Sequence, residues 1–151
     1  MINSIATIIK EAIEERHQRD TKQLEVVFSP SKRILVEAPA GYGKTNTMVS
    51  KIAYLLATKQ IPYPKRLLAL TFSVNAAYKI KKDVSLQIPN LLEDTGLNIN
   101  VSDKVFVSNY HGFCRNILKK YGNKFHASLS TIDTLQSVED SDPRKMMRSV
   151  K

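Results

Sequence analysis

Apolar positions recur at helical spacing from the start of the chain. Ile2, Ile5, Ile9 and Ala12, with Ile8 and Ile13 beside them, mark one face of a helix. A second, short helix carries Leu24, Val27 and Phe28 inward, with Asp20 or Thr21 as its cap. "SPSK" at 29–32 reads as a turn, and "RILVEA" at 33–38 as a short buried strand. From Lys44 to Thr58 the residues Met48, Val49, Ile52, Leu55 and Leu56 again have helical spacing, and the prolines of "IPYPK" at 61–65 stop that helix. "RLLALTF" at 66–72 predicts a second buried strand. Ala76, Ala77, Ile80 and Val84 then predict a helix, and a loop is expected to hold Pro89, Asp94 and Gly96. "KVFVSN" at 104–109 predicts a third strand, and 112–121 a third amphipathic helix in this alternating series, with Phe113, Ile117 and Tyr121 aligned.

Strands alternating with helices predict right-handed crossovers and an α/β fold, a parallel sheet with helices on both faces. The pattern organises the chain into an N-terminal helix (1–19), a domain (20–122) and a weakly periodic end (123–151). The polar stretch "QSVEDSDPRKMMRSVK" reads as a disordered tail or as the start of a truncated helical insert.

Composition narrows the partners. The 23 basic and 14 acidic residues give a formal net charge of +9, a balance that favours a polyanion such as nucleic acid. Cys114 is the single cysteine, which excludes an intramolecular disulfide and a cysteine-based zinc site and fits a reducing compartment. No stretch approaches the ~20 apolar residues that span a membrane. The N-terminal residues are helically spaced and acidic rather than arranged as a signal peptide. A soluble cytoplasmic protein is expected.

Candidate chemistry begins at "LVEAPAGYGKTNT", 35–47. Gly43, Lys44 and Thr45 fit the end of the phosphate-loop pattern G-x-x-x-x-G-K-[ST], with Ala38 in place of its first glycine. Gly41 and Gly43 allow backbone amides to turn towards phosphate oxygens, and the helix that follows presents its positive end. Lys44 is placed to reach the β- and γ-phosphates and Thr45 to offer a hydroxyl to Mg²⁺. The predicted ends of the later strands carry "TFSVNAAYK" (71–79) and "SNYHGFCR" (108–115), at the sheet edge where open α/β folds bind ligands. Aromatic rings there can stack on unpaired bases while lysines and arginines neutralise phosphates. Taken alone, Phe72 and Phe113 read as core residues, and Tyr110 and His111 as exposed residues of a loop.

Together these stretches resemble the first RecA-like domain of a UvrD/Rep/PcrA-type superfamily I DNA helicase, over about residues 20–122. "DTKQLEVV" resembles the Q motif, at the family's separation from the phosphate loop, and implies that Gln23 recognises adenine. "APAGYGKT" resembles a Walker A in which alanine commonly holds the first position. "LTFSVNAAYKIK" and "SNYHGFCRNIL" resemble two single-strand contact motifs. The resemblance implies a P-loop NTPase fold and a site for ATP and Mg²⁺ made of Gln23, Ala38, Pro39, Ala40, Gly41, Tyr42, Gly43, Lys44, Thr45 and Asn46. It implies single-stranded DNA, or RNA, on Thr71, Phe72, Ser73, Asn75, Lys79, Asn109, Tyr110 and His111.

Departures qualify it. Val74 stands where asparagine is usual and Tyr110 where phenylalanine is. No apolar run ending in Asp-Glu follows: "LLED" at 91–94 and "VED" at 138–140 lack the strand that a Walker B requires. The arginine motifs of a second RecA-like domain are missing as well. The expectation is part of a helicase or translocase, completed by the remainder of its chain, that binds ATP and alone does not hydrolyse it. The alternatives are a truncated P-loop module that binds nucleotide or nucleic acid without turnover, and a small P-loop kinase. A kinase would need an arginine-bearing lid that Arg115 hardly supplies.

Overall fold

The computed structural model describes residues 4–127. The chain divides into two compact units, Met1–Tyr110 and His111–Lys151. In the first, Ser4 starts helix α1 (Ile5–Arg16) by accepting a hydrogen bond from the Thr7 amide. Asp20, rather than Thr21, caps helix α2 (Thr21–Phe28), its Oδ1 accepting from the amides of Lys22 and Gln23 at 3.0 and 3.2 Å. Such a carboxylate satisfies donors that a helix leaves unpaired. The other end of α2 is held by Lys51 of helix α3 (Lys44–Ala57), whose ammonium donates to the carbonyls of Val26, Val27 and Ser29. Burial lowers the pKa of Lys51.

Strand β1 (Leu67–Thr71) leads into helix α4 (Val74–Leu92), and a 3₁₀ turn and the one-turn helix α5 (Val101–Lys104) precede strand β2 (Val105–Asn109). The strands pair in parallel, from Leu67 opposite Val105 to Thr71 opposite Asn109. Ile9 and Ile13 of α1, Val27 of α2, Val49, Ile52, Ala53 and Leu56 of α3, and Val84, Ile88 and Leu92 of α4 form one buried cluster. Helix α1 thus packs into the same core as the helix that begins at the phosphate loop. In the second unit the described residues carry the body of helix α6 (Tyr110–Tyr121) and a 3₁₀ turn, Gly122–Lys124. No residue of α6 is buried.

Some expectations change. Residues 33–38 are not a buried strand: Ile34, Leu35 and Val36 are 39, 86 and 42% exposed. A buried parallel strand needs a ladder partner, and among the described residues the sheet consists of β1 and β2 alone, with residues 33–38 laddered to the outer edge of neither. Pro89 does not sit in a loop but within α4. Its ring is on the exposed side while Ile88, Leu91 and Leu92 are buried, so packing outweighs the one backbone bond that proline removes. Tyr110 and His111 open α6 instead of lying in a loop, and Lys104 ends α5 rather than beginning β2. The expectations for Ile2, for "VED" at 138–140 and for the polar stretch 136–151 fall outside the described residues. No described helix is long and apolar enough to cross a membrane.

Ile13 is fully buried, so Ile13→Ala should destabilise the chain by roughly 2–5 kcal/mol. The urea midpoint should fall with the slope unchanged; an unaltered midpoint would show that α1 is not part of the core.

Candidate nucleotide-binding site

The phosphate loop is shaped by two glycines with positive φ, Gly41 at 86° and Gly43 at 74°. Both lie in the left-handed region that side chains disfavour. Gly43 is the N-cap of α3 and offers no side chain to the helix amides, which leaves the first-turn N–H groups to an anion. The Lys44 ammonium lies across the loop and donates to the carbonyls of Ala38 and Pro39, the latter at 2.7 Å. A phosphate would take over this ammonium from weaker carbonyl partners. Thr45 is half-buried in the first turn of α3, and its hydroxyl oxygen is a hard donor of the kind magnesium takes. Ala40, Gly41 and Tyr42 are exposed, Tyr42 by 68%.

Gln23 reaches this loop from α2. A Cβ on Gly43 would lie 3.3 Å from both polar atoms of the Gln23 side chain, so the missing side chain is what lets the carboxamide approach. Gln23 Nε2 donates to Asp20 Oδ2 at 3.2 Å, and Oε1 accepts from the Thr47 hydroxyl at 3.2 Å. His17 and Ser50 continue the network, Nδ1 of His17 lying 2.6 Å from Gln23 Oε1 and Nε2 lying 2.8 Å from Ser50 Oγ. Beside it, Arg16 Nε donates to Asn46 Oδ1 at 2.9 Å and its terminal nitrogen reaches Asn46 and Gln87. Burial lowers the pKa of Arg16 and Asp83 opposes the shift. A cavity of about 400 Å³ lies between Arg16, His17, Gln23, Tyr42, Gly43 and Asn46, within the usual size range of small-molecule sites.

The sheet edge has its own geometry. Because Thr71 pairs with Asn109, the residues that follow each strand come together: the rings of Phe72 and Tyr110 lie 5.1 Å apart at 39°. Phe72 is 85% exposed, so the reading of it as a core residue is overturned. It follows the last paired residue of β1, where no described element covers it, and it pairs with Tyr110 instead of the core. Ser73 caps α4 by accepting from the Ala76 amide at 3.0 Å, and Asn75 and Lys79 are exposed on that helix. His111 is exposed and begins the second unit, and Phe113 there is half-buried.

The pattern of the UvrD/REP helicase N-terminal domain matches residues 19–150. The chain belongs to that family. Among its curated relatives is the "Probable DNA helicase II homolog" of Mycoplasma capricolum subsp. capricolum, 33% identical over 128 residues that make up 85% of this chain and 16% of that protein. The "ATP-dependent DNA helicase PcrA" of Staphylococcus aureus is 32% identical over 101 residues, 67% of this chain and 12% of the relative. The chain therefore spans a small part of the length of these relatives. Membership of the UvrD/REP family implies a P-loop NTPase fold, and the two-stranded parallel sheet flanked by helices is consistent with it.

Gln23 and the loop 38–46, read as one site from motifs, adjoin in space in this UvrD/REP domain. Sequence reasoning missed the residues behind Gln23. Asp20 was legible as a cap, but His17, Thr47 and Ser50 carry no motif. The one available signal was a histidine closing a helix shortly before the Q motif. "LLED" at 91–94 ends α4 and enters a 3₁₀ turn, so it lies on no strand.

Gly43→Ala should strain the loop by roughly 1–2 kcal/mol and push on Gln23. Chemical denaturation should show the loss and nucleotide titration a weaker complex. Parent-like values in both would mean that the loop does not require its left-handed glycine.

Proposed function

We propose that the chain is the ATP-binding part, of RecA-like fold, of an ATP-dependent DNA helicase or translocase that couples ATP hydrolysis to movement on single-stranded DNA. The observation that carries this reading is the meeting of Gln23 with Gly43, one residue before Lys44. A base contact and a phosphate contact thereby face one loop. The names of the two relatives, both DNA helicases and one of them ATP-dependent, support the same reading.

In this reading the amides of the loop and the first turn of α3 bind phosphate oxygens, Lys44 neutralises the β- and γ-phosphates, and Gln23 meets the base. Thr45 would help to hold Mg²⁺, which when bound would neutralise phosphate charge. The Phe72–Tyr110 pair stacks on unpaired bases, with Thr71, Ser73, Asn75 and Asn109 beside the strand and Lys79 on its phosphates; His111, in the second unit, is a separate candidate for contact with the strand. Hydrolysis needs more. The described strands end in Thr71 and Asn109 rather than in a carboxylate that would order metal and water. An arginine at the γ-phosphate contributes ~10³–10⁵ in rate, roughly 4–7 kcal/mol of barrier. We assign that acid and those arginines to the remainder of the helicase, so that this chain alone binds ATP without turning it over.

The parent chain should bind a fluorescent ATP analogue and Lys44→Ala should not, with circular dichroism unchanged. Equal binding by both would sink the phosphate-loop reading. Phosphate release should stay at background with or without single-stranded DNA; DNA-stimulated release lost in Lys44→Ala would show a catalytic acid within these residues.

Binding of single-stranded DNA should fall steeply with salt. Tyr110→Ala should weaken it by ~1–3 kcal/mol at an unchanged salt slope, whereas Lys79→Ala should flatten the slope. Salt-independent binding, or none at low salt, would count against this surface.

A further inference from the structure

We propose that His17 is a positioning residue that fixes which way round the Gln23 carboxamide faces a nucleotide base, and thereby sets adenine selectivity. The proposal rests on Gln23 being the base contact. His17 is 5% exposed, yet neither of its ring nitrogens faces an apolar wall: one meets Gln23 Oε1 and the other Ser50, itself fully buried. Such a ring links α1, α2 and α3 at the back of the loop. The chain bends sharply to bring this about. Gln18 and Arg19 both have positive φ, 49° and 59°, and the Asp20 amide bonds back to the His17 carbonyl at 2.9 Å. Two non-glycine residues in the left-handed region are unfavourable by themselves and persist only where the surroundings hold them.

The network fixes the direction of the hydrogen bond between His17 and Gln23. Asp20 as a carboxylate can only accept, so the end of the Gln23 amide that faces it is nitrogen. The opposite end, Oε1, then faces His17, so Nδ1 carries the proton donated to it, and Nε2 meets the Ser50 hydroxyl, which can donate or accept. Thr47 has one hydroxyl proton and two acceptors in reach, Gln23 Oε1 at 3.2 Å and the Gly43 carbonyl at 3.1 Å. When that proton serves Gly43, Oε1 keeps a lone pair for a base, and Nε2 keeps its second hydrogen. One acceptor and one donor side by side match the amino group and ring nitrogen of adenine. Guanine presents a carbonyl oxygen to Oε1 instead. The terminal torsion of glutamine is broad and nearly two-fold, so the amide can turn over unless both ends are held. The bond to Asp20 is exposed to water, and the bond to His17 is the partly buried one.

Two substitutions separate positioning from packing. His17→Asn places an amide N–H where Nδ1 stands, towards Gln23. His17→Gln places it nearer Nε2, towards Ser50. The full chain would be titrated with ATP, GTP and inorganic triphosphate, with thermal melting as the control for folding. His17→Gln should narrow the ATP-over-GTP ratio by about fivefold, the worth of one neutral hydrogen bond, while His17→Asn stays within about twofold of the parent. Inorganic triphosphate should bind both variants as it binds the parent. Should His17→Gln not fold, Ser50→Ala releases the far side of the ring and should give a smaller narrowing. Ratios that fall equally in the Asn and Gln variants, or a parent-like ratio in both His17→Gln and Ser50→Ala, overturn the proposal. Gln23→Ala separates the two levels. If it narrows the ratio and the His17→Gln and Ser50→Ala variants do not, only the role of His17 falls. If the parent shows no preference, or Gln23→Ala keeps it, the base contact and the proposal fall together.

Discussion

The absent Cβ of Gly43 is the constraint on which the site depends. The same residue turns the backbone into the left-handed region, exposes the first amides of α3 and lets Gln23 pack against the loop at 3.3 Å from where a side chain would begin. A larger residue would oppose all three at once. Behind this contact the polar groups are satisfied in series, from Asp20 through Gln23 and His17 to Ser50, and the described buried side chains leave no polar atom without a partner. A polar network that is exposed at Asp20 and buried at His17 and Ser50 specifies geometry when every member is bonded. The apolar cluster of α1, α3 and α4 supplies the rigidity and the network supplies the direction.

The second constraint is register. Parallel pairing of Thr71 with Asn109 sets the ends of β1 and β2 level, so the aromatic residue after each strand meets its counterpart. A shift of one residue would separate Phe72 from Tyr110 and turn the strands' side chains to the opposite faces. An exposed aromatic pair next to a capped helix bearing Lys79 is therefore a consequence of how two short strands are aligned, and it needs no element of its own.

How much of this could be read beforehand follows the range of the interactions involved. Helices α1, α3 and α4 were legible because their buried positions recur with a local period, and α2 because Asp20 caps it. The phosphate loop and Gln23 were legible because their chemistry is written in short motifs. The strand expected at 33–38 was not obtained, since a strand is completed by backbone partners distant in sequence and an apolar run cannot announce whether they are present. Pro89 misled for the opposite reason: a local rule against proline was outweighed by the burial of Ile88, Leu91 and Leu92. His17 and Ser50 were invisible because a hydrogen bond across 33 sequence positions leaves no pattern in composition or spacing. Phe72 misled because its exposure depends on what happens to lie beyond the end of β1.

Amide hydrogen exchange on the full chain with and without ATP and Mg²⁺ tests the central claim most directly, that residues of α1, α2 and the phosphate loop form one nucleotide site. ATP should slow exchange in residues 41–46 and in residues 17–24 together, and inorganic triphosphate should slow it in 41–46 alone. Protection by ATP confined to the loop, or absent from both segments, would contradict the account.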